Sequence, residues 1–199
     1  MADPLEVTIL LLGDAGVGKS TFLSRISKGS TGHDSQTLIT LLRDNDQPFI
    51  FEIKFFNRPY RFSFYDTASP ENWTLLTPDV IVLCYDISSR LSLINVQRVL
   101  TGYVMQWVKE VKRLFTISKE LPILLLGLKR DLRSEDDPNG IIYPQESYRI
   151  AQEMRCDRYL ECSALTGELV HEVFEDICRT AALSTKDGGG LSEGGCITM

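Results

Sequence analysis

At 199 residues, with 43% hydrophobic and 24% charged content, the chain is long enough to bury a full core, and one domain is the economical reading. A formal charge of −6 with scattered Lys and Arg supplies no broad basic field, so nucleic acid is not expected as a partner. Five cysteines, at 84, 156, 162, 178 and 196, form no CxxC pair and no metal-ligand spacing, and no leader-like or membrane-length apolar run occurs; folding in the reducing cytosol is expected.

In chain order, the apolar run Val7–Leu12 reads as a strand, residues 13–18 as a Gly-rich loop, and Lys19 to about Ile26 as a helix. After a polar stretch from Ser27 to Gln47, the β-rich segments Phe49–Phe56 and Tyr60–Tyr65 flank Asn57-Arg58-Pro59, a hairpin turn that predicts an antiparallel pair. Val80–Tyr85 and Ile123–Leu128 read as buried strands, Leu93–Leu114 and Gln145–Met154 as helices, and Tyr159–Cys162 followed by Glu168–Leu183 as a last strand and helix. This alternation predicts an α/β fold: a six-stranded, mostly parallel sheet with helices on both faces, binding ligands at the strands' carboxyl ends. Residues 1–183 form the expected domain. Residues 184–199 turn to Gly, Ser, Thr and charge and read as a flexible tail.

Gly13-Asp14-Ala15-Gly16-Val17-Gly18-Lys19-Ser20 fits G-x-x-x-x-G-K-[ST] between a strand and a helix, the context a P-loop requires. Its glycines let backbone N–H groups face phosphates at a helix amino terminus, Lys19 reaches the outer phosphates, and Ser20 offers a hydroxyl to Mg²⁺. Thr21 follows in the same expected site.

The choice of base comes from Gly127-Leu128-Lys129-Arg130-Asp131 and from Glu161-Cys162-Ser163-Ala164-Leu165-Thr166, each after a strand. Taken alone, Lys129 and Asp131 also suit an ordinary charged turn. Together with the P-loop they resemble the N/T-K-x-D and S-A elements of Ras-superfamily small GTPases, and the string Tyr159–Thr166 resembles the Rho branch, its Rac-like members especially. The resemblance covers residues 7–183. It implies that Asp131 accepts hydrogen bonds from guanine, that the Lys129 stem covers the base, that Ser163, Ala164 and Leu165 complete the pocket, and that the ligand is GTP or GDP with Mg²⁺. Leu128 stands where the family has Asn or Thr tying this loop to the P-loop, and the segment between Asp131 and Glu161 is short for the insert helix of Rho proteins.

Asp66-Thr67-Ala68-Ser69-Pro70-Glu71 resembles the family's D-T-A-G-Q-E, which gives Asp66 a role at Mg²⁺. Ser69 replaces the hinge glycine, and Pro70 replaces the glutamine that orients the attacking water, a task for which proline has no group. Ala15 adds a methyl group at a P-loop position that is often Gly. For the Mg²⁺-ligating threonine of switch I, Thr37 and Thr40 are candidates, with Thr40 preferred. Trp73 reads as a packing residue before an effector anchor. Cys196-Ile197-Thr198-Met199 is a C-a-a-X ending with Met at X, implying farnesylation of Cys196 and weak, reversible membrane attachment, since the tail has no polybasic run. The expected protein is a GTP-bound signalling module that hydrolyses slowly or not at all and meets protein effectors and regulators through its switches. The alternatives are a working switch with groups supplied in trans and a pseudo-GTPase interaction domain.

Overall fold

A computed structural model describes residues 3–27, 47–55, 57–67, 78–98, 121–133 and 142–185. The strands are β1 (Leu5–Leu12), β2 (Phe49–Phe55), β3 (Arg58–Thr67), β4 (Val80–Asp86), β5 (Ile123–Leu128) and β6 (Arg158–Glu161). Among the described residues the helices are α1 (Lys19–Ser27), α2 (Arg90–Arg98), α3 (Pro144–Glu153) and α4 (Val170–Ser184). The strands form one six-stranded sheet in the order β2-β3-β1-β4-β5-β6, antiparallel between β2 and β3 and parallel at every other pairing.

Alternating side chains on β1 feed two cores, as the two-residue period of a strand requires. Val7, Ile9 and Leu11 pack with Phe22 and Leu23 of α1 and with Phe174 and Ile177 of α4. Leu10 and Leu12 face the opposite layer with Leu93 and Val96 of α2 and Ile150 of α3. Because both faces are covered, every residue of β4 and of β5 is buried, which is why these strands read as unbroken apolar runs. Each fully buried Leu, Ile or Phe contributes about 1.5–3 kcal/mol through area removed from water.

The hairpin turn is tighter than Asn57-Arg58-Pro59. Arg58 already belongs to β3, Lys54 stands opposite Pro59, and Asn57 turns the chain with φ 62°. Pro59 is tolerated inside the strand because pairing of β3 with β1 begins only at Tyr60, so on that edge no N–H is needed from it. Helix α3 starts one residue before the expected Gln145, with Pro144 in its first turn, where a missing N–H costs nothing. Helix α4 starts at Val170 because Leu169 adopts a left-handed conformation, φ 57°, and it runs through Ser184. The expected helix over 93–114 is present from Arg90 to Arg98; the remainder of it, and the tail beyond 185, lie outside the described residues.

Candidate functional site

Parallel pairing delivers the carboxyl ends of β1, β3, β4, β5 and β6 to one edge of the sheet, and the sequence-predicted site residues sit there. The Gly13–Ser20 loop passes from β1 into α1 under the end of β4. Gly13 is obligatory: its φ is 152°, and a Cβ would stand 2.2 Å from the Cys84 carbonyl oxygen. Lys19, 5% exposed, donates from Nζ to the carbonyls of Gly13 at 2.8 Å and Asp14 at 3.0 Å, and lies 3.6 Å from Asp66 Oδ1. Ser20 Oγ donates to Asp66 Oδ2 at 2.5 Å.

This end suits an anion. A buried ammonium held by neutral carbonyls and a single carboxylate sits inside a loop whose tight glycine leaves no room for a side chain. Ser20 and Asp66 also suit Mg²⁺, a hard cation that takes one or two protein oxygens and fills its shell with water and phosphate. Among the described residues no group of three or more His, Cys, Asp or Glu forms an alternative metal cage.

Two supports at this end carry no sequence motif. Gln47 donates from Nε2 to the Asp66 carbonyl at 2.7 Å and accepts at Oε1 from the Asp66 N–H at 3.1 Å. The pairing of Phe49 with Phe64, carried two residues further, sets Gln47 opposite Asp66, so its side-chain amide continues the ladder past the end of β2. Asn95 of α2 donates from Nδ2 to Asp14 Oδ2 at 2.8 Å, tying the P-loop to a helix on the other face.

The second end is a cleft of about 240 Å³ lined by Gly18, Thr21, Leu128, Lys129, Asp131, Leu132, Ala164 and Leu165. Ser163 Oγ accepts from the Thr166 N–H at 3.1 Å and donates its proton to Asp131 Oδ1. One carboxylate oxygen is thereby anchored, and Asp131 Oδ2 has no partner among the described residues. The loop after β5 is clamped to the loop after β6. The Arg130 N–H donates to the Cys162 carbonyl at 3.2 Å, and Arg133 grips Glu161 through both terminal nitrogens while reaching the Ile142 carbonyl. Leu132 is a lining residue without a motif.

A profile of the Ras family matches residues 8–183. The chain belongs to the Ras family. Within it the chain is Rho-like: it is 31% identical to GTP-binding protein rho1 of Schizosaccharomyces pombe, covering 94% of this chain and 91% of the relative. It is 30% identical to GTP-binding protein RHO1 of Candida albicans (92% and 91% covered) and 30% identical to Rho-related protein racI of Dictyostelium discoideum (92% and 89% covered).

Further described positions complete the geometry around the two ends of the site. Leu128, 1% exposed, brings an apolar side chain beside the P-loop: a Cβ built on Gly18 would meet Leu128 Cβ at 3.7 Å and Cδ1 at 3.8 Å. Lys129 takes a left-handed conformation, φ 60°, and its Nζ donates to Asp86 Oδ2 at 2.8 Å. Burial alone would raise the Asp86 carboxyl, but hydrogen bonds from Lys129 and Ser88 outweigh it and leave the group below the ordinary aspartate value. Ala15 is exposed at the turn of the P-loop. Burial pushes the Cys84 thiol well up and the Cys162 thiol to about 12, so neither supplies a thiolate beside the site. Thr37, Thr40, Ser69, Pro70, Trp73 and Cys196 lie outside the described residues.

Proposed function

We propose that this Rho-like chain binds GTP or GDP with Mg²⁺, hydrolyses GTP slowly or not at all, and signals by presenting its GTP-bound switch surface to protein effectors and regulators. The observation that carries the reading is the Ser163-anchored Asp131 carboxylate at one end of a cleft whose other wall, Gly18, is part of the P-loop. A fixed carboxylate accepts the N1 and N2 protons of guanine, which adenine does not offer. Relatives named as GTP-binding proteins support the same ligand.

In this reading Gly13 to Thr21 cradle the phosphates, Lys19 meets the outer phosphates, and the Lys129 stem, Ala164 and Leu165 enclose the base. Ser20 and Asp66 hold Mg²⁺, which when bound offsets phosphate charge, with Thr40 as the proposed switch I ligand. Slow hydrolysis rests on Ser69 and Pro70, which leave the attacking water without an amide to orient it. The test is single-turnover hydrolysis of GTP with Mg²⁺ by the purified chain beside the double variant Ser69→Gly, Pro70→Gln. The variant is expected to turn over at least about tenfold faster. A native chain that hydrolyses GTP as fast as the variant, with both turning over readily, overturns the slow-hydrolysis reading, and two equally slow proteins overturn its attribution to Ser69 and Pro70.

The intact set of Lys19, Ser20 and Asp66 favours a second reading, a working switch whose water-positioning group comes from a partner. Fast turnover on adding an activating protein supports it. A native chain that purifies without nucleotide and binds none supports instead a pseudo-GTPase interaction domain.

The tail supports a location on the cytoplasmic face of a membrane, held reversibly by a farnesyl group on Cys196. No described helix is long and apolar enough to cross a membrane, and the thiols of Cys84, Cys156, Cys162 and Cys178 are free, in keeping with a reducing compartment. Replacing Cys196 with Ser is expected to move the chain from the membrane to the soluble fraction; unchanged partitioning removes the anchor.

A further inference from the structure

We propose that Asp86 is a positioning residue for nucleotide binding: it fixes the ammonium of Lys129 so that the lysine stem stays across the base cleft. The inference rests on the guanine-nucleotide reading above and names a residue that neither motif contains.

The sheet itself brings the two together. Parallel pairing of β4 with β5 sets Asp86 opposite Leu128, and the Ile87 N–H donates to the Leu128 carbonyl at 3.0 Å. Lys129, the next residue, therefore leaves the sheet beside the Asp86 side chain. Its left-handed backbone turns the stem over the cleft, where a Cβ built on Gly18 would meet Lys129 Cε at 3.8 Å.

Asp86 is a rigid anchor. Its Oδ1 accepts from the Ser88 N–H at 2.8 Å and from Ser88 Oγ at 2.6 Å, and its own N–H donates to Ser92 Oγ at 3.0 Å. Only Oδ2 remains for Lys129, at 2.8 Å. An exposed ion pair between two long side chains fixes little, because both ends must be ordered. Here the acid is short, its side chain is 12% exposed, and it is already immobile, so Lys129 alone is ordered by the contact. Leu128 beside it offers no polar side chain to hold this loop, so the Asp86 contact is what sets the direction of the Lys129 stem.

A stem fixed before the ligand arrives slows ligand escape without contacting the groups that distinguish one purine from another. The test follows release of radiolabelled GDP and IDP, in Mg²⁺, from the native chain and from Asp86→Asn, Lys129→Met and their double variant. Asparagine keeps the acceptor for Ser88 and withdraws the charge facing Lys129. Asp86→Asn is expected to release both nucleotides about tenfold faster with their ratio unchanged. The double variant should release them no faster than Lys129→Met alone.

Native release rates in Asp86→Asn, or effects that multiply in the double variant, overturn the inference while leaving the nucleotide reading standing. Binding of neither nucleotide by the native chain overturns both. Lys129→Arg leaves Asp86 untouched and guards against loss of folding in Asp86→Asn. It keeps a charge facing Asp86 and is expected to release GDP more slowly than Lys129→Met does, whereas release as fast as from Lys129→Met contradicts the proposal.

Discussion

At the scale of single residues, Gly13 and Asp86 show how much rests on one atom. A methyl group on Gly13 would collide with the backbone of β4 rather than with a movable side chain, so relief requires the loop to lift from the sheet. Gly13→Ala is expected to cost roughly 2 kcal/mol of stability and to weaken GDP binding at least about tenfold; calorimetric titration with unchanged affinity would contradict the described path of the loop. Asp86 carries a pH signature. Its folded carboxyl titrates below the unfolded value of 3.8, so the stability it contributes is present above that pH and is lost as pH falls through the lower folded value. In urea unfolding, the stability difference between the native chain and Asp86→Asn is therefore expected to hold steady from about pH 5 to 8 and to shrink below about pH 4. A difference that stays constant into acid would mean that Asp86 is not charged and paired in the folded state.

At the scale of elements, α4 ties the hairpin to the sheet. Its buried positions Val170, Val173, Phe174, Ile177, Cys178 and Ala181 recur at helical spacing. The Phe174 ring stands 5.0 Å from that of Phe51 on β2 and 5.7 Å from that of Phe64 on β3, centroid to centroid. Phe174→Ala is expected to lower unfolding stability by about 3–5 kcal/mol while the folded fraction keeps near-native GDP affinity, since the cleft lies at the strands' carboxyl ends. A large affinity loss at unchanged stability would contradict that division. The element pattern was legible because each period has one physical cause: strands covered on both faces become unbroken apolar runs, and helices lying on one layer become amphipathic. The boundaries were not, because they turn on strand register at Pro59 and on a backbone angle at Leu169. Pro59 enters a strand whose second partner starts one residue later, and Leu169 delays a helix by its own backbone angle.

At the scale of the whole molecule, one parallel sheet collects loops distant in the chain into a single site. The placement of Lys19, Ser20, Asp131 and Ser163 at one edge of the sheet could be expected from sequence because their motifs are short and each follows a strand. Gln47, Asn95 and Asp86 could not. Their contacts span 19, 81 and 43 positions and arise from strand register and helix packing, which leave no local pattern around a Gln, an Asn or an Asp. The same assembly of loops after β1, β5 and β6 makes the cleft proposed for the base, and the identity of the base is the central claim.

Its most direct measurement is equilibrium titration of the native chain and of Asp131→Asn with GDP and with XDP. Xanthine carries a carbonyl where guanine has its N2 amino group, so a carboxylate favours guanine and an amide N–H₂ favours xanthine. The native chain is expected to prefer GDP by at least about a hundredfold and the variant to reverse the preference. An unchanged preference in Asp131→Asn would place the base away from the Ser163–Asp131 pair and contradict the account.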